Sequence, residues 1–388
     1  MKAVTDYLFI DDPADFPAAA RRLTEGYGPL AVDTERAGGF RYDDRAFLVQ
    51  LYRRGIPPIV VDPEGHREAF TVAFADVLED LDWVMHAAHT DLPALQMLRV
   101  WPRRLFDTEL AGRLLGLEKV NLSAMVGAFL GIDLPKGHGA EDFSQRPLPR
   151  ALLDYAADDV IYLPDLVDTL AELLAASGKT TIAQQEFAHL LTFSPQPERW
   201  DTVRGAATLT APEQRVVLEH LWHERDRIAR AKDRAPTRVL ATKTLVDMAR
   251  RQPRTQSELR RIAGAQRLRR GHRKFWLEHV SEALSTDRAL WPPRPQHADV
   301  PSKSAWKSTH PGSWEVVTAL REDVAELAAD IEVESTRLLK PSLLREVVWQ
   351  VVEKHSLHPT SLRDYLLRRG ARPWQVELVA PLLTARLS

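Results

Sequence analysis

Three short segments of this 388-residue chain carry side chains that could act together on a phosphodiester. In Ala31-Val32-Asp33-Thr34-Glu35 an apolar run ends in two carboxylates spaced i, i+2. On a strand those positions share a face, so Asp33 and Glu35 project together. Carboxylates that close repel unless a cation lies between them. The plain alternative is a strand running out into a polar loop. In His86-Ala87-Ala88-His89-Thr90-Asp91-Leu92-Pro93, Asp91 stands where a helix begins, with Pro93 in its first turn. An aspartate there could serve simply as an N-cap. In Asp154-Tyr155-Ala156-Ala157-Asp158-Asp159, Tyr155 and Asp159 are spaced i, i+4 and share a helix face. Asp158 lies one position off that face, where its ordinary role is solvated.

Asp33, Glu35, Asp91 and Asp159 together suit two divalent cations about 4 Å apart, clamping the attacking and leaving oxygens of a phosphodiester. Oxygen-only ligands favour Mg²⁺ or Mn²⁺ over zinc. Tyr155, a phenol with an ordinary pKa near roughly 10, would orient a bound water more than ionise. His86 and His89 lack the i, i+4 spacing around a glutamate that marks a zinc helix, and are read as core or supporting residues. The chain has no cysteine, which excludes disulfides, thiolate metal sites and cysteine nucleophiles.

Such residues need a scaffold. Leu8-Phe9-Ile10, Leu30-Ala31-Val32, Phe47 to Leu51, Ile59-Val60-Val61 and Trp83-Val84-Met85 read as strands. Helical patterns lie near 13–24, 66–79, 91–99, 108–116, 121–130 and 149–176. This alternation predicts an α/β domain. The early strands are close enough for antiparallel hairpins, so the sheet should be mixed. Ser194-Pro195-Gln196-Pro197 ends the pattern. Beyond it, helices fit 211–232, 242–251, 256–263 and 273–285. A polar stretch from Trp291-Pro292-Pro293-Arg294-Pro295 to Gly312 reads as a linker, and helices resume from about 313. Thr237-Arg238-Val239-Leu240 resembles Thr336-Arg337-Leu338-Leu339, with Leu245 and Leu344 at the same distance beyond, so the helical segments read as diverged copies. The expected division is 1–195, 208–290, a linker 291–312, and 313–388.

Charge is unevenly spread. Residues 1–200 hold 19 basic and 31 acidic side chains, residues 201–280 hold 19 and 9, and residues 281–388 hold 14 of each. An acidic front and a basic middle fit a carboxylate site beside a phosphate-binding segment. The densest basic run spans Arg267, Arg269, Arg270, Arg273 and Lys274, next to Phe275 and Trp276, and is the candidate nucleic-acid contact, where the plain alternative is an exposed helix end and loop. Arg368-Arg369-Gly370-Ala371-Arg372-Pro373-Trp374 is a weaker version, in which Trp374 could be core. The opening residues lack the apolar core of a signal peptide, and no run is long and apolar enough to span a membrane. The expectation is a cytoplasmic protein with no obligate protein partner.

Asp33-Thr34-Glu35, Asp91 and Tyr155-x-x-x-Asp159 resemble, in order and spacing, the three exonuclease motifs of the DEDDy superfamily. The wider match is similar to the ribonuclease D family. It includes Phe47 to Leu51, Phe106-Asp107-Thr108, Lys136-Gly137 and Asp142-Phe143-Ser144-Gln145-Arg146, with Phe143 where tryptophan is usual. Residues 211–285 resemble an HRDC domain through Leu221, Arg225, Ala229, Asp233, Pro236 and Val239-Leu240, and 313–388 resemble a second copy. The resemblance implies a ribonuclease H-like exonuclease domain, a mixed five- or six-stranded sheet flanked by helices, followed by two all-α HRDC-like domains. It implies hydrolytic release of 5′-mononucleotides from RNA 3′ ends, typically of transfer-RNA precursors and other small structured RNAs. Two alternatives share these residues: a single-strand DNA exonuclease of the proofreading type, and a non-catalytic RNA-binding protein with a relic nuclease domain.

Overall fold

The computed structural model describes residues 6–134, 141–192, 197–293 and 300–388. Lys136-Gly137, residues 194–196 of the first break, and Arg294-Pro295 lie outside the described residues.

The first region contains β1 (Leu8–Ile10), α1 (Phe16–Leu23), β2 (Tyr27–Arg36), β3 (Ala46–Arg54), β4 (Ile59–Val61), α2 (Arg67–Glu79) and β5 (Asp82–Met85). It continues with α3 (Leu92–Met97), β6 (Arg104–Asp107), α4 (Thr108–Leu114), α5 (Leu122–Leu130), α6 (Arg150–Ile161), α7 (Leu163–Ala176) and α8 (Thr180–Leu190). The six strands run in the order β1-β4-β3-β2-β5-β6. β2–β3 and β3–β4 are antiparallel, whereas β1–β4, β2–β5 and β5–β6 are parallel. The sheet is therefore mixed, but β1 joins β4 in parallel instead of forming a hairpin with β2. The helix expected over 149–176 is two helices meeting at Tyr162-Leu163, with Pro164 in the first turn of α7, where proline costs a helix least.

Strand alternation decides what β2 presents to each side. Leu30 and Val32 pack into a core with Phe16, Phe70, Phe74 and Leu92, from α1, α2 and α3. Ala31 packs with Val160 and Leu163, from α6 and α7. Asp33 and Glu35 continue the Ala31 face, toward α6. The three phenylalanines interlock, with Phe70 stacked on Phe74 at 4.6 Å and Phe16 edge-on to Phe70. This fixes α1 and α2 behind the sheet.

The second region contains α9 (Pro212–Ala231), α10 (Pro236–Val239), α11 (Thr242–Arg251), α12 (Gln256–Arg260) and α13 (Arg270–Ser285). Its core of Leu218, Leu221, Leu245, Met248, Trp276 and Val280 is separate from that of the sheet. The third contains α14 (Lys303–Thr309), α15 (Pro311–Asp330), α16 (Ser335–Leu338), α17 (Pro341–Val348), α18 (Leu362–Arg368) and α19 (Pro373–Leu387). α14 falls inside the expected linker. Ser302 caps it, and Trp306 is fully buried against Trp314 and Trp349, so one aromatic residue draws an otherwise polar stretch into the third core. The pairs α9/α15, α10/α16 and α11/α17 begin at Pro212/Pro311, Pro236/Ser335 and Thr242/Pro341, a constant offset of 99 residues. The corner after the long helix carries a left-handed residue in each, Asp233 at φ 43° and Glu332 at φ 51°.

Candidate active site

A cleft of about 650 Å³ opens where the end of β2, the start of α3 and the middle of α6 converge. Asp33, Glu35 and Asp159 each direct a carboxylate oxygen to within 4.8 Å of the others. Asp91 forms the neighbouring wall. It stands at the N-cap position of α3, yet its side chain caps nothing there. Its carboxylate instead accepts from the Thr34 hydroxyl at 2.6 Å and the Thr90 hydroxyl at 2.6 Å, and the Arg36 Nε lies 3.4 Å away. The capping role is thus excluded for Asp91.

Burial, followed by mutual repulsion, pushes Asp33 and Glu35 well above the usual carboxylate range. Asp159 is pushed up to about 7 by burial and by Asp158 and Asp91, against a hydrogen bond from Tyr155 that lowers it. Asp91 is also raised by burial, although Arg36, Thr34 and Thr90 oppose the shift. Among the described residues, six carboxylates line the cleft (Asp44 and Glu141 are the others) against the single cationic side chain of Arg36. Such a site is short of positive charge. Its oxygen donors fit a divalent cation held by carboxylates.

Tyr155 bonds to Asp159, and burial together with Asp159 and Glu35 pushes its phenol far up. Its hydroxyl therefore stays protonated and is available to orient a neighbour. Asp158 is buried, not solvated, and faces a separate small pocket with Asn121 and Ser123. Only Asp159 of that pair lines the main cleft. His86 also lines it, with burial lowering its imidazole to about 4 and Nδ1 2.9 Å from the Thr108 hydroxyl. His89 is exposed and lines a different pocket.

Other residues shape the site in roles that the sequence reading did not assign. Arg36 ties Asp91 to Asp44, at 3.0 Å, and to the Thr90 carbonyl, at 2.6 Å. Gly38 permits this, since a Cβ there would sit 2.4 Å from the Asp44 carboxylate. Strand alternation pairs Thr34 with Arg36, so that signal was present in the sequence. Asp107 caps α4 by accepting from Leu110 N at 2.9 Å and also accepts from Ala88 N at 2.8 Å. It thereby fixes the segment leading to Asp91.

The β2–β3 connection forms the rim of the cleft and is held by the second region. Asp233 accepts from Arg45 at 2.8 and 3.0 Å, and from the Tyr42 amide at 3.3 Å. Tyr42 donates to Asp226 at 2.7 Å, Ala235 N to the Phe40 carbonyl at 3.0 Å, and Arg238 to the Gly39 carbonyl at 2.6 Å. Arg267 and Arg269 lie elsewhere, lining a second cleft of about 550 Å³ with His272, Phe275 and Trp276. Arg270 opens α13 and is exposed. The Arg273 guanidinium donates to the Leu268 carbonyl, and Lys274 faces Glu278 at 3.7 Å. This basic run lies at a helix N-terminus, where the helix dipole adds to its positive potential. The weaker run near the C-terminus is largely engaged. Arg369 pairs with Glu346 and Arg372 with Glu186, while Trp374 is buried.

Residues 7–175 match the family described as 3′-5′ exonuclease, 214–275 match the HRDC domain, and 299–387 match the 3′ to 5′ exonuclease C-terminal domain. Ribonuclease D of Pseudomonas paraeruginosa is 32% identical over 275 residues, covering 68% of this chain and 71% of that protein. Ribonuclease D of Bartonella henselae is 31% identical over 281 residues, covering 69% and 68%. A crystal structure of a protein from Bifidobacterium adolescentis superposes with a TM-score of 0.84 at 30% identity, over 98% of this chain and 97% of that one. Escherichia coli RNase D shares the fold across 99% of both chains, with a TM-score of 0.70 at 21% identity. With a carboxylate cleft at the end of the interior strand β2 and a helical region docked at its rim, the chain belongs to the ribonuclease D family of hydrolytic 3′-5′ exoribonucleases.

Proposed function

We propose that the chain trims RNA 3′ ends by releasing one 5′-mononucleotide at a time, acting on transfer-RNA precursors and other small structured RNAs in the cytoplasm. Asp33, Glu35, Asp91 and Asp159 would hold two divalent ions, Mg²⁺ or Mn²⁺. The observation that carries this reading is the convergence of Asp33, Glu35 and Asp159 with Tyr155 in a cleft whose described lining is mostly carboxylate. When bound, the ions supply Lewis-acid charge to the attacking and leaving oxygens. The chain's own part is positional. Tyr155 holds a water by its hydroxyl, Asp159 fixes Tyr155, and Thr34, Thr90 and Arg36 hold Asp91 to its orientation.

The domain reading is 1–195 for catalysis, 208–290 as an HRDC domain and 313–388 as a second HRDC-like domain. The 99-residue offset of three helix pairs supports it. The burial of Trp306 draws the third domain back to include α14. For RNA binding we assign Arg267, Arg269 and Arg270 to phosphates, with Phe275 and His272 offering stacking surfaces. Arg273 and Lys274 add positive charge while engaged with Leu268 and Glu278.

A 5′-labelled structured RNA incubated with the full chain tests the reading. With Mg²⁺ or Mn²⁺ a ladder of single-nucleotide steps should grow from the 3′ end. Asp159→Ala should abolish it and Asp158→Ala should leave it. Tyr155→Phe should slow single turnover by about 10²-fold or more without weakening binding. Internal cleavage, or equal activity on a matched DNA strand, would overturn it.

A further inference from the structure

A second group of potential metal ligands lies outside the catalytic cleft, on the face where α9 packs against α13. His220 comes from α9, and His279 and Glu282 lie one turn apart on α13. His220 Nε2 lies 3.0 Å from His279 Nδ1, His279 Nδ1 3.2 Å from Glu282 Oε2, and His220 Nε2 3.5 Å from the same oxygen. The three donor atoms form a nearly equilateral triangle. A tetrahedral ion with bonds of roughly 2.0–2.2 Å to nitrogen and oxygen requires ligand–ligand edges of about 3.3 Å. The three edges straddle that length.

Further contacts set the ring. Glu224 Oε1 faces the other nitrogen of His279, Nε2, at 3.7 Å, and the Glu224 carboxylate is held by Arg227, which donates to Oε1 at 2.5 Å and to Oε2 at 2.8 Å. A carboxylate on that side favours the proton on Nε2 and leaves the Nδ1 lone pair toward His220 and Glu282. Phe275 meets the His279 ring edge-on at 4.5 Å, which fixes its tilt. Glu282 is well exposed, so an ion can enter from solvent.

We propose that His220, His279 and Glu282 form a binding site for a d-block divalent cation of the zinc class, distinct from the carboxylate cleft. Two imidazole nitrogens and one carboxylate suit Zn²⁺ or Co²⁺, whereas the oxygen-only cleft suits Mg²⁺ or Mn²⁺. Binding requires His220 to carry its proton on Nδ1. The ion would staple α9 to α13 beside the basic groove, because Arg227 and Phe275 belong to both places.

The test is calorimetric titration of Zn²⁺ into the full chain, stripped by chelator and then saturated with Mg²⁺. The parent should take up one Zn²⁺ more than the His220→Gln/His279→Gln double variant. Asp33→Asn should keep that extra equivalent, and Co²⁺ in its place should show the visible band of a tetrahedral nitrogen-containing site. Glu224→Gln should weaken the site by about tenfold or more. If the double variant fails to fold, Glu282→Ala, an exposed change, should still weaken it. Equal Zn²⁺ uptake by the parent and a folded double variant, or by the parent and Glu282→Ala, would overturn the proposal, as would loss of the extra equivalent in Asp33→Asn.

Discussion

The two helical regions turn the same corner and use it differently. In the second region the left-handed residue is Asp233, and its side chain does the docking, through Arg45 and the Tyr42 amide at the cleft rim. In the third the residue 99 positions later is Glu332, and its backbone docks, its carbonyl accepting from Lys179 Nζ at 3.1 Å. The third region then grips α8 from the other end: Arg372 and the Trp374 indole both donate to the buried Glu186. One corner thus reaches the catalytic loop, and the other reaches the helices behind. Net charge divides the same way, positive over residues 201–280 and balanced over 281–388. Copies that share local geometry can be told apart by which atoms at that geometry touch the neighbour.

The largest effect should fall on the rear contact. Glu186→Ala leaves Arg372 without its partner and the Trp374 Nε1 without an acceptor in a buried interface, and should cost about 3–5 kcal/mol in denaturant unfolding. Folded protein should retain its turnover, which would confirm a mechanical role. At the rim the order reverses. Asp233→Ala should cost less in unfolding, about 1–2 kcal/mol for alanine at the left-handed φ of 43° and the lost pairs, but lower kcat/KM by about 10²-fold, because the loop bearing Asp44 loses one of its anchors. A stability loss with normal turnover would make the two corners equivalent and break the comparison.

Smaller effects sharpen it. Neutralising Arg267, Arg269 and Arg270 should weaken RNA binding and reduce the log–log salt slope by somewhat under one for each lost phosphate contact. Neutralising the exposed Arg368 should change neither. The smallest effect is expected for Glu332→Gly. Among the described residues the Glu332 side chain makes no hydrogen bond or ion pair, and its φ of 51° favours glycine. Stability should stay within about 1 kcal/mol of the parent, on either side, by thermal melting. Asp233→Gly should instead lose activity as Asp233→Ala does.

What could be read in advance was periodic. Alternation placed Asp33 with Glu35, and i, i+4 spacing placed Tyr155 with Asp159. Five of the six strands were visible as apolar runs. β6 was not, because Arg104 and Asp107 bracket only two apolar residues. α8 lacks a periodic signature for a related reason. Its buried positions include Glu186 and its N-cap is the buried Lys179, and both polar groups are satisfied by residues far along the chain. Asp158 looked solvated because its enclosure depends on α5 and the Asn121 turn, not on its own helix. The rim is the extreme case: Arg45 and Asp233 are 188 residues apart, and no local pattern links them.

Lys179 has a consequence for the order of assembly. Its ammonium is buried and donates to two carbonyls, that of Leu114 at the end of α4 and that of Glu332 beyond α15. Both lie at helix C-termini, where partial negative charge gathers. The first acceptor is 65 residues away and the second 153, on the C-terminal side. During synthesis the catalytic domain emerges well before Glu332 exists, so the ammonium must keep its water until the third region arrives. The final docking step therefore strips a hydrated charge and completes its coordination at once. A nascent chain halted near residue 300 should hold this lysine open to amine-reactive reagents, whereas the finished chain should shield it.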